Sequence, residues 1–225
     1  MLDLLLPDNA PLRVLALGAH CDDIEIGAGG TILALSARLP GVHLGAFVAT
    51  STPQRAAESK VSLCDFVGSD DVTLEIANLR DTRLPADFDA VKDHLGALSA
   101  GAWDLILTPH PDDAHQDHAI MGRLAPTAFR NHLILRYEIP KWDGDLGSLR
   151  PNLYVPLTVE QVRRKWSLLD EHYASQRSRD WWDYETIAGL ARLRGMECRS
   201  QYAEAFRVDK MTIQMAASED QTRTL

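Results

Sequence analysis

The segment RVLALGA, Arg13 to Ala19, is apolar at every position after its first residue. A half-exposed strand alternates polar and apolar side chains, so an unbroken run of this length marks a strand covered on both faces. Three further strands are expected over Val42–Thr50, Asp71–Ile76 and Trp103–Pro109. Helical patterns lie between them. TILALSARL places Ile32, Leu35 and Leu39 at helical spacing. The next helix has Thr52 as N-cap, Pro53 at its first position and Gly68 as its stop. Residues 87–98 read as a third helix. Buried strands alternating with helices restrict the chain to an α/β fold, a mostly parallel sheet with helices on both faces.

The remainder is less regular. Leu133–Pro140 reads as a strand. Thr158 and Gln161 form a capping box for a helix running to about Ser175, with Val159, Val162, Trp166 and Leu169 as its apolar stripe. DYETIAGLARLRG reads as a helix stopped at Gly195. The expected organisation is a single domain over residues 1–208 and a polar tail over 209–225, without internal repeats.

Two polar clusters sit immediately after strands. GAHCDDIEIGAGG holds His20, Cys21, Asp22, Asp23 and Glu25 ahead of an expected glycine-rich turn, and HPDDAHQDH runs from His110 to His118. In open α/β sheets ligands bind outside the carboxyl ends of strands, so two clusters far apart in sequence can meet there. A catalytic zinc takes three His or carboxylate ligands and keeps one position open. One His and one Asp from the first cluster with one His from the second meet that count. Two adjacent carboxylates allow one to bind metal while the other moves a proton, and a further histidine can donate to an oxyanion. An ordinary reading exists for each part: Asp-Asp after a strand is often a cap, and GAGG lacks the GxGxxG spacing of dinucleotide loops.

Composition narrows the partners. The net charge of −9 disfavours a nucleic-acid binder, which needs clustered Lys and Arg. Three widely spaced cysteines make neither a disulfide framework nor a CxxC pair, which fits a reducing, cytoplasmic setting. Asp3 and Pro7 break the opening apolar run, so no signal peptide is expected, and no stretch is long enough for a membrane span.

AHCDDIE resembles the AHPDDxE motif of the LmbE-like, or PIG-L-like, N-deacetylase family, and DAHQDH, Asp113 to His118, resembles its DxHxDH motif. RAAE (Arg55 to Glu58), Asp81, KWSLLDEHYASQ (Lys165 to Gln176) and YAEAF (Tyr202 to Phe206) match further family positions in the same order. The resemblance implies a Rossmann-like fold with its metal site at the C-terminal edge of the strands. It implies a zinc hydrolase, with Fe2+ or Co2+ as other metals, acting on an N-acetylglucosamine-type sugar or glycoconjugate. By motif position, His20, Asp23 and His118 are the expected metal ligands and Asp22 the general base and acid. His115 is the oxyanion donor, Asp117 and Asp113 orient it or its loop, and Arg55 reaches substrate. Two positions depart from the family: Cys21 and Gln116 each stand where proline is usual. Hydrolysis of another small amide or ester, and a non-catalytic nucleotide-binding module, are the alternatives. Substrate choice is expected in residues 81–88 and 141–154, and a homo-oligomer is allowed for, since homo-oligomers are common among proteins in general.

Overall fold

β1 (Arg13–Gly18) is buried from Val14 onward, as its unbroken run requires. In this computed structural model, which describes residues 3, 5, 6, 11–39, 41–140 and 150–212, β1 lies between β2 (His43–Thr50) and β4 (Leu105–Pro109) and is parallel to both. With β3 (Val72–Leu79), β5 (Leu133–Tyr137), β6 (Leu153–Leu157) and β7 (Tyr202–Arg207) the order is β3-β2-β1-β4-β5-β7-β6. The first five strands are parallel; β7 is antiparallel to β5 and to β6.

Alternate residues of each central strand serve opposite faces. Val14 and Ala16 of β1 join one core, with residues from α1 (Asp23–Arg38), α2 (Pro53–Val67), α5 (Val159–His172) and α6 (Tyr184–Cys198). Leu15 and Leu17 join the other, with α3 (Phe88–Leu98) and α4 (Gln116–Ala128). Each fully buried Leu or Val contributes about 1.5–3 kcal/mol, so both layers are driven by the same strands.

Several local expectations are met. Thr52 Oγ1 accepts from Arg55 N, Pro53 opens α2, and Gly68 closes it at φ 72°. The Thr158–Gln161 capping box is complete at α5. Others need correction. α1 begins at Asp23, so the glycine-rich stretch is helix and not a turn. Its glycines serve close packing: a Cβ at Gly27 would run into the Tyr137 ring, and one at Gly30 would lie 2.5 Å from Leu157 Cδ1. That packing outweighs the roughly 1 kcal/mol helix cost of each glycine. β3 extends to Leu79 and exposes Thr73 and Glu75 between half-buried Val72, Leu74 and Ile76, because it is an edge strand with one covered face. β5 ends at Tyr137, short of the expected Pro140. α5 stops at His172, and α6 continues past Gly195 to Cys198, where Arg199 takes φ 62°. Gly195 is instead pressed against the backbone of Gln201.

Pro126 stays inside α4. Proline cannot donate to the carbonyl four residues earlier, and that carbonyl, Gly122 O, accepts from Arg136 Nη1 at 2.7 Å. Trp182 is buried edge-on to Tyr173 and Trp181, sealing the core. Among the described residues no helix is long and apolar enough to cross a membrane. Of the expected substrate loop, residues 141–149 lie outside the described residues, as do residues 213–225 of the expected tail.

Candidate metal centre and active site

Because β1 and β4 are sheet neighbours, the loops that leave their carboxyl ends converge. Thr50 ties down the first loop, donating through both N and Oγ1 to Ala19 O at 2.9 Å. Asp23 then folds back over β1: its Oδ2 accepts from Ala19 N and His20 N, each at 2.9 Å. That fixes Oδ2 and leaves Oδ1 facing the second loop.

Three donors meet there. His20 Nδ1 lies 3.1 Å from His118 Nε2, His118 Nε2 lies 3.3 Å from Asp23 Oδ1, and His20 Nδ1 lies 3.5 Å from Asp23 Oδ2. Ligands at 2.0–2.1 Å around a tetrahedral zinc stand about 3.3 Å from one another. The His20–His118 and His118–Asp23 Oδ1 edges are near that length, while the third contact runs to Asp23 Oδ2, so the donor triangle joins three side chains and not three single atoms; two imidazoles and a carboxylate are nonetheless a donor set that suits a divalent ion. His115 adds a third imidazole: ring nitrogens of His20, His115 and His118 all fall within 4.8 Å. His115 Nδ1 accepts from Asp117 N at 3.2 Å. A neutral His115 therefore carries its proton on Nε2, available as a donor.

The electrostatics agree with a cation site. Burial alone would lower His20, but the Asp23 charge and hydrogen bonds to Asp117, Asp23 and Asp81 outweigh it and push it up to about 12. His118 goes up to about 9 by the same balance, with Asp23 and Asp113 overcoming burial. Burial would raise Asp23, yet the His118 and His20 charges drive it well below the usual carboxylate range. Two imidazoles are thus surrounded by more negative charge than they neutralise. His115 moves the other way, lowered by burial and by repulsion from His118 and His20.

Asp22 borders this triangle. Its backbone sits at φ 138°, a region that side-chain-bearing residues rarely adopt and that costs of order 1–3 kcal/mol. Arg55 Nη2 holds it from α2, donating to Asp22 Oδ1 at 2.6 Å and to Cys21 O at 2.9 Å. Burial nonetheless raises Asp22 to about 7 against the pull of Arg55. The guanidinium expected at substrate is thus turned to the expected base.

The second loop also departs in detail from the sequence reading. The Asp117 carboxylate does not face His115; Oδ1 accepts from Leu84 N at 3.1 Å and Oδ2 lies 3.5 Å from His20 Nε2. Asp113 Oδ1 accepts from His115 N at 2.8 Å and lies 3.1 Å from His118 Nδ1. Gln116 Nε2 donates to Thr82 O at 3.1 Å. Cys21 is buried with Sγ 3.1 Å from Ser51 Oγ, and burial pushes the thiol up to about 11. His110 is buried beside the site, its Nδ1 accepting from Asp112 N at 3.2 Å. His43, His94 and His172 pair with Asp71, Glu75 and Asp65 away from it.

Three supports had no partner assigned from the sequence beyond their motif positions. Asp81 Oδ1 lies 3.2 Å from His20 Nε2. Tyr173 Oη donates to buried Glu25 at 2.6 Å. Lys165 Nζ donates to Ile26 O at 2.6 Å and to Glu204 Oε1 at 2.7 Å, while Glu204 accepts from Gly30 N and Thr31 N, each at 2.7 Å. The motif matches over Lys165–Gln176 and Tyr202–Phe206 were the only signal for the last two.

A family model described as PIG-L: GlcNAc-PI de-N-acetylase matches residues 15–129, which span both clusters. The uncharacterized deacetylase YaiS of Escherichia coli (strain K12) is 28% identical over 181 residues, 75% of this chain and 95% of that protein. The N,N'-diacetylchitobiose deacetylase of Pyrococcus horikoshii superposes with a TM-score of 0.69 at 24% identity, covering 92% of this chain and 86% of that one. GalB of Pseudomonas putida KT2440, a 4-carboxy-2-hydroxymuconate hydratase, superposes at 0.73 with 14% identity over 92% of this chain and 100% of that one. These structural likenesses establish the fold. A deacetylase and a hydratase share it, so the chemistry must be argued from the site.

Proposed function

Because this chain belongs to the PIG-L (LmbE-like) family of deacetylases, we propose that it is a divalent-metal hydrolase removing the acetyl group from an N-acetylglucosamine-type sugar or glycoconjugate. The observation that supports this reading is the meeting of His20, Asp23 and His118: the two imidazoles lie 3.1 Å apart, Asp23 lies 3.3 Å from His118 through Oδ1 and 3.5 Å from His20 through Oδ2, and Asp22 is beside them. His20, Asp23 and His118 would hold the ion. Zn2+, or Fe2+ or Co2+ in its place, would supply Lewis acidity toward the acetyl carbonyl and the attacking water.

The chain's own groups move the protons. Asp22 takes one from water as its oxygen bonds to the acetyl carbon, and passes it to the sugar nitrogen as the C–N bond breaks. Acetate and the free amine leave. A carboxyl raised to about 7 suits both halves of that exchange near neutral pH. Arg55 keeps Asp22 Oδ1 occupied and leaves Oδ2 to the water. His115 Nε2–H donates to the carbonyl oxygen as it gains charge.

Elemental analysis of protein purified without chelator, followed by acetate-release assays on N-acetylglucosaminyl compounds, acyl amides and esters, tests this. The expected result is about one divalent ion per chain and acetate release from the sugar compounds. Release from amides or esters alone would move the assignment to another acyl substrate. Absence of bound ion would remove the mechanism altogether.

A further inference from the structure

The two histidines facing each other across the donor triangle use different ring nitrogens, and each has a carboxylate behind it. His118 turns Nε2 inward and has Asp113 Oδ1 3.1 Å from its Nδ1. His20 turns Nδ1 inward, and its Nε2 looks out at Asp81 Oδ1, 3.2 Å away, and Asp117 Oδ2, 3.5 Å away. A neutral imidazole has one N–H, and the nitrogen that gives its lone pair to a cation must be bare. The proton then belongs on the outer nitrogen, where a carboxylate fixes the tautomer and the ring plane.

For His20 two carboxylates compete for that proton. Asp117 is fully buried, and its Oδ1 is committed to Leu84 N. Its Oδ2 is at the long limit of a hydrogen bond, where the interaction is weak. Asp81 is nearer, and it arrives on a segment that is itself tied down. Arg80 pairs with Asp87 across the ends of that segment, Leu84 is fully buried, Leu84 N is held by Asp117, and Thr82 O is held by Gln116.

We infer that Asp81 is a positioning residue for His20, holding the proton on Nε2 and the Nδ1 lone pair toward the ion, so that the segment Arg80–Asp87 helps set metal affinity. This rests on the cation site proposed above. The Asp81 side chain is 60% exposed, so its substitution leaves the core intact.

The test needs no substrate. Zn2+ affinity is measured by competition with a chromophoric chelator, and the visible spectrum is recorded with Co2+, for the parent protein, Asp81→Ala, Asp81→Asn and Asp89→Asn. Loss of an outer partner of a ligand histidine costs 10–100-fold in metal affinity. Asp81→Ala should therefore bind Zn2+ about tenfold more weakly and shift the Co2+ bands. Asp81→Asn keeps an acceptor oxygen and should recover most of the loss. Asp89→Asn, an exposed charge change farther along the chain, should match the parent. Equal affinity in Asp81→Ala and parent would overturn the inference while leaving the cation site standing. Equal weakening by all three substitutions would overturn it in favour of a general charge effect. Two zinc ions in the parent and one in Asp81→Ala would make Asp81 a ligand of a second ion. A parent that binds no divalent ion would take down this inference and the proposed function together.

Discussion

Helix α1 carries buried charge at two places, and the two are built on opposite rules. At its middle, one cation meets one anion: Lys165 and Glu204 satisfy each other, and their remaining groups satisfy α1 backbone at Ile26, Gly30 and Thr31. At its first turn, like groups are pressed together: two imidazole nitrogens stand 3.1 Å apart, with Asp23, Asp81, Asp113 and Asp117 around them. A complementary buried pair is a structural fastening. A convergent set with surplus negative charge asks for a cation from outside. The same fold supplies both, one from the parallel strands and one from the antiparallel corner.

The sharpest way to separate the two places is Asp22→Asn. It should cut turnover by about 10²–10⁴-fold, while bound metal, measured by elemental analysis, and the melting temperature stay near the parent values. Turnover equal to the parent would remove Asp22 from the chemistry. Lys165→Met should do the reverse, leaving ligand geometry in place but stranding the Glu204 charge. The expected cost is about 3–5 kcal/mol in denaturant unfolding, with Lys165→Met/Glu204→Gln less damaging than the single change. Gly27→Ala should destabilise by about 1–3 kcal/mol through overpacking on the Tyr137 ring; a melt identical to the parent would show that α1 can shift at no cost.

A pH-dependent effect concerns Glu25, which burial raises to about 7 against its hydrogen bond from Tyr173. Its folded value exceeds its ordinary value near 4.5, so its contribution is complete below that pH and is lost as pH rises through 7. The parent should therefore lose stability between pH 4.5 and 7 relative to Glu25→Gln, in which no group titrates at that position. Melting curves across this window would expose the difference as diverging slopes, and parallel slopes would place Glu25 in a wetter setting.

The convergent site was the more legible of the two in the sequence. Val14 to Leu17 and Leu105 to Leu107 are continuously apolar because both faces are covered, and a ligand cluster at each strand end is what an open sheet uses. The fastening was not legible from pattern. Glu204 looks like one polar residue in YAEAF, and only its pairing across the sheet to α1 gives it a role. The glycines of α1 read as a turn because local propensity says so; their reason is Tyr137 and Leu157, which belong to distant strands. Asp81 is a single acid in a polar segment, and only the sheet order brings it to His20. Asp117 carries the same lesson at shorter range: its motif position offered His115 or the loop as its partner, and the fold brings its carboxylate to Leu84 N.

β7 is inserted between β5 and β6, although it follows both in the chain. The proposed ligands His20, Asp23 and His118 all precede Glu204 in the chain. Glu204 on that late strand holds the α1 backbone at Gly30 and Thr31, so the first helix of the chain is fastened by one of its last strands.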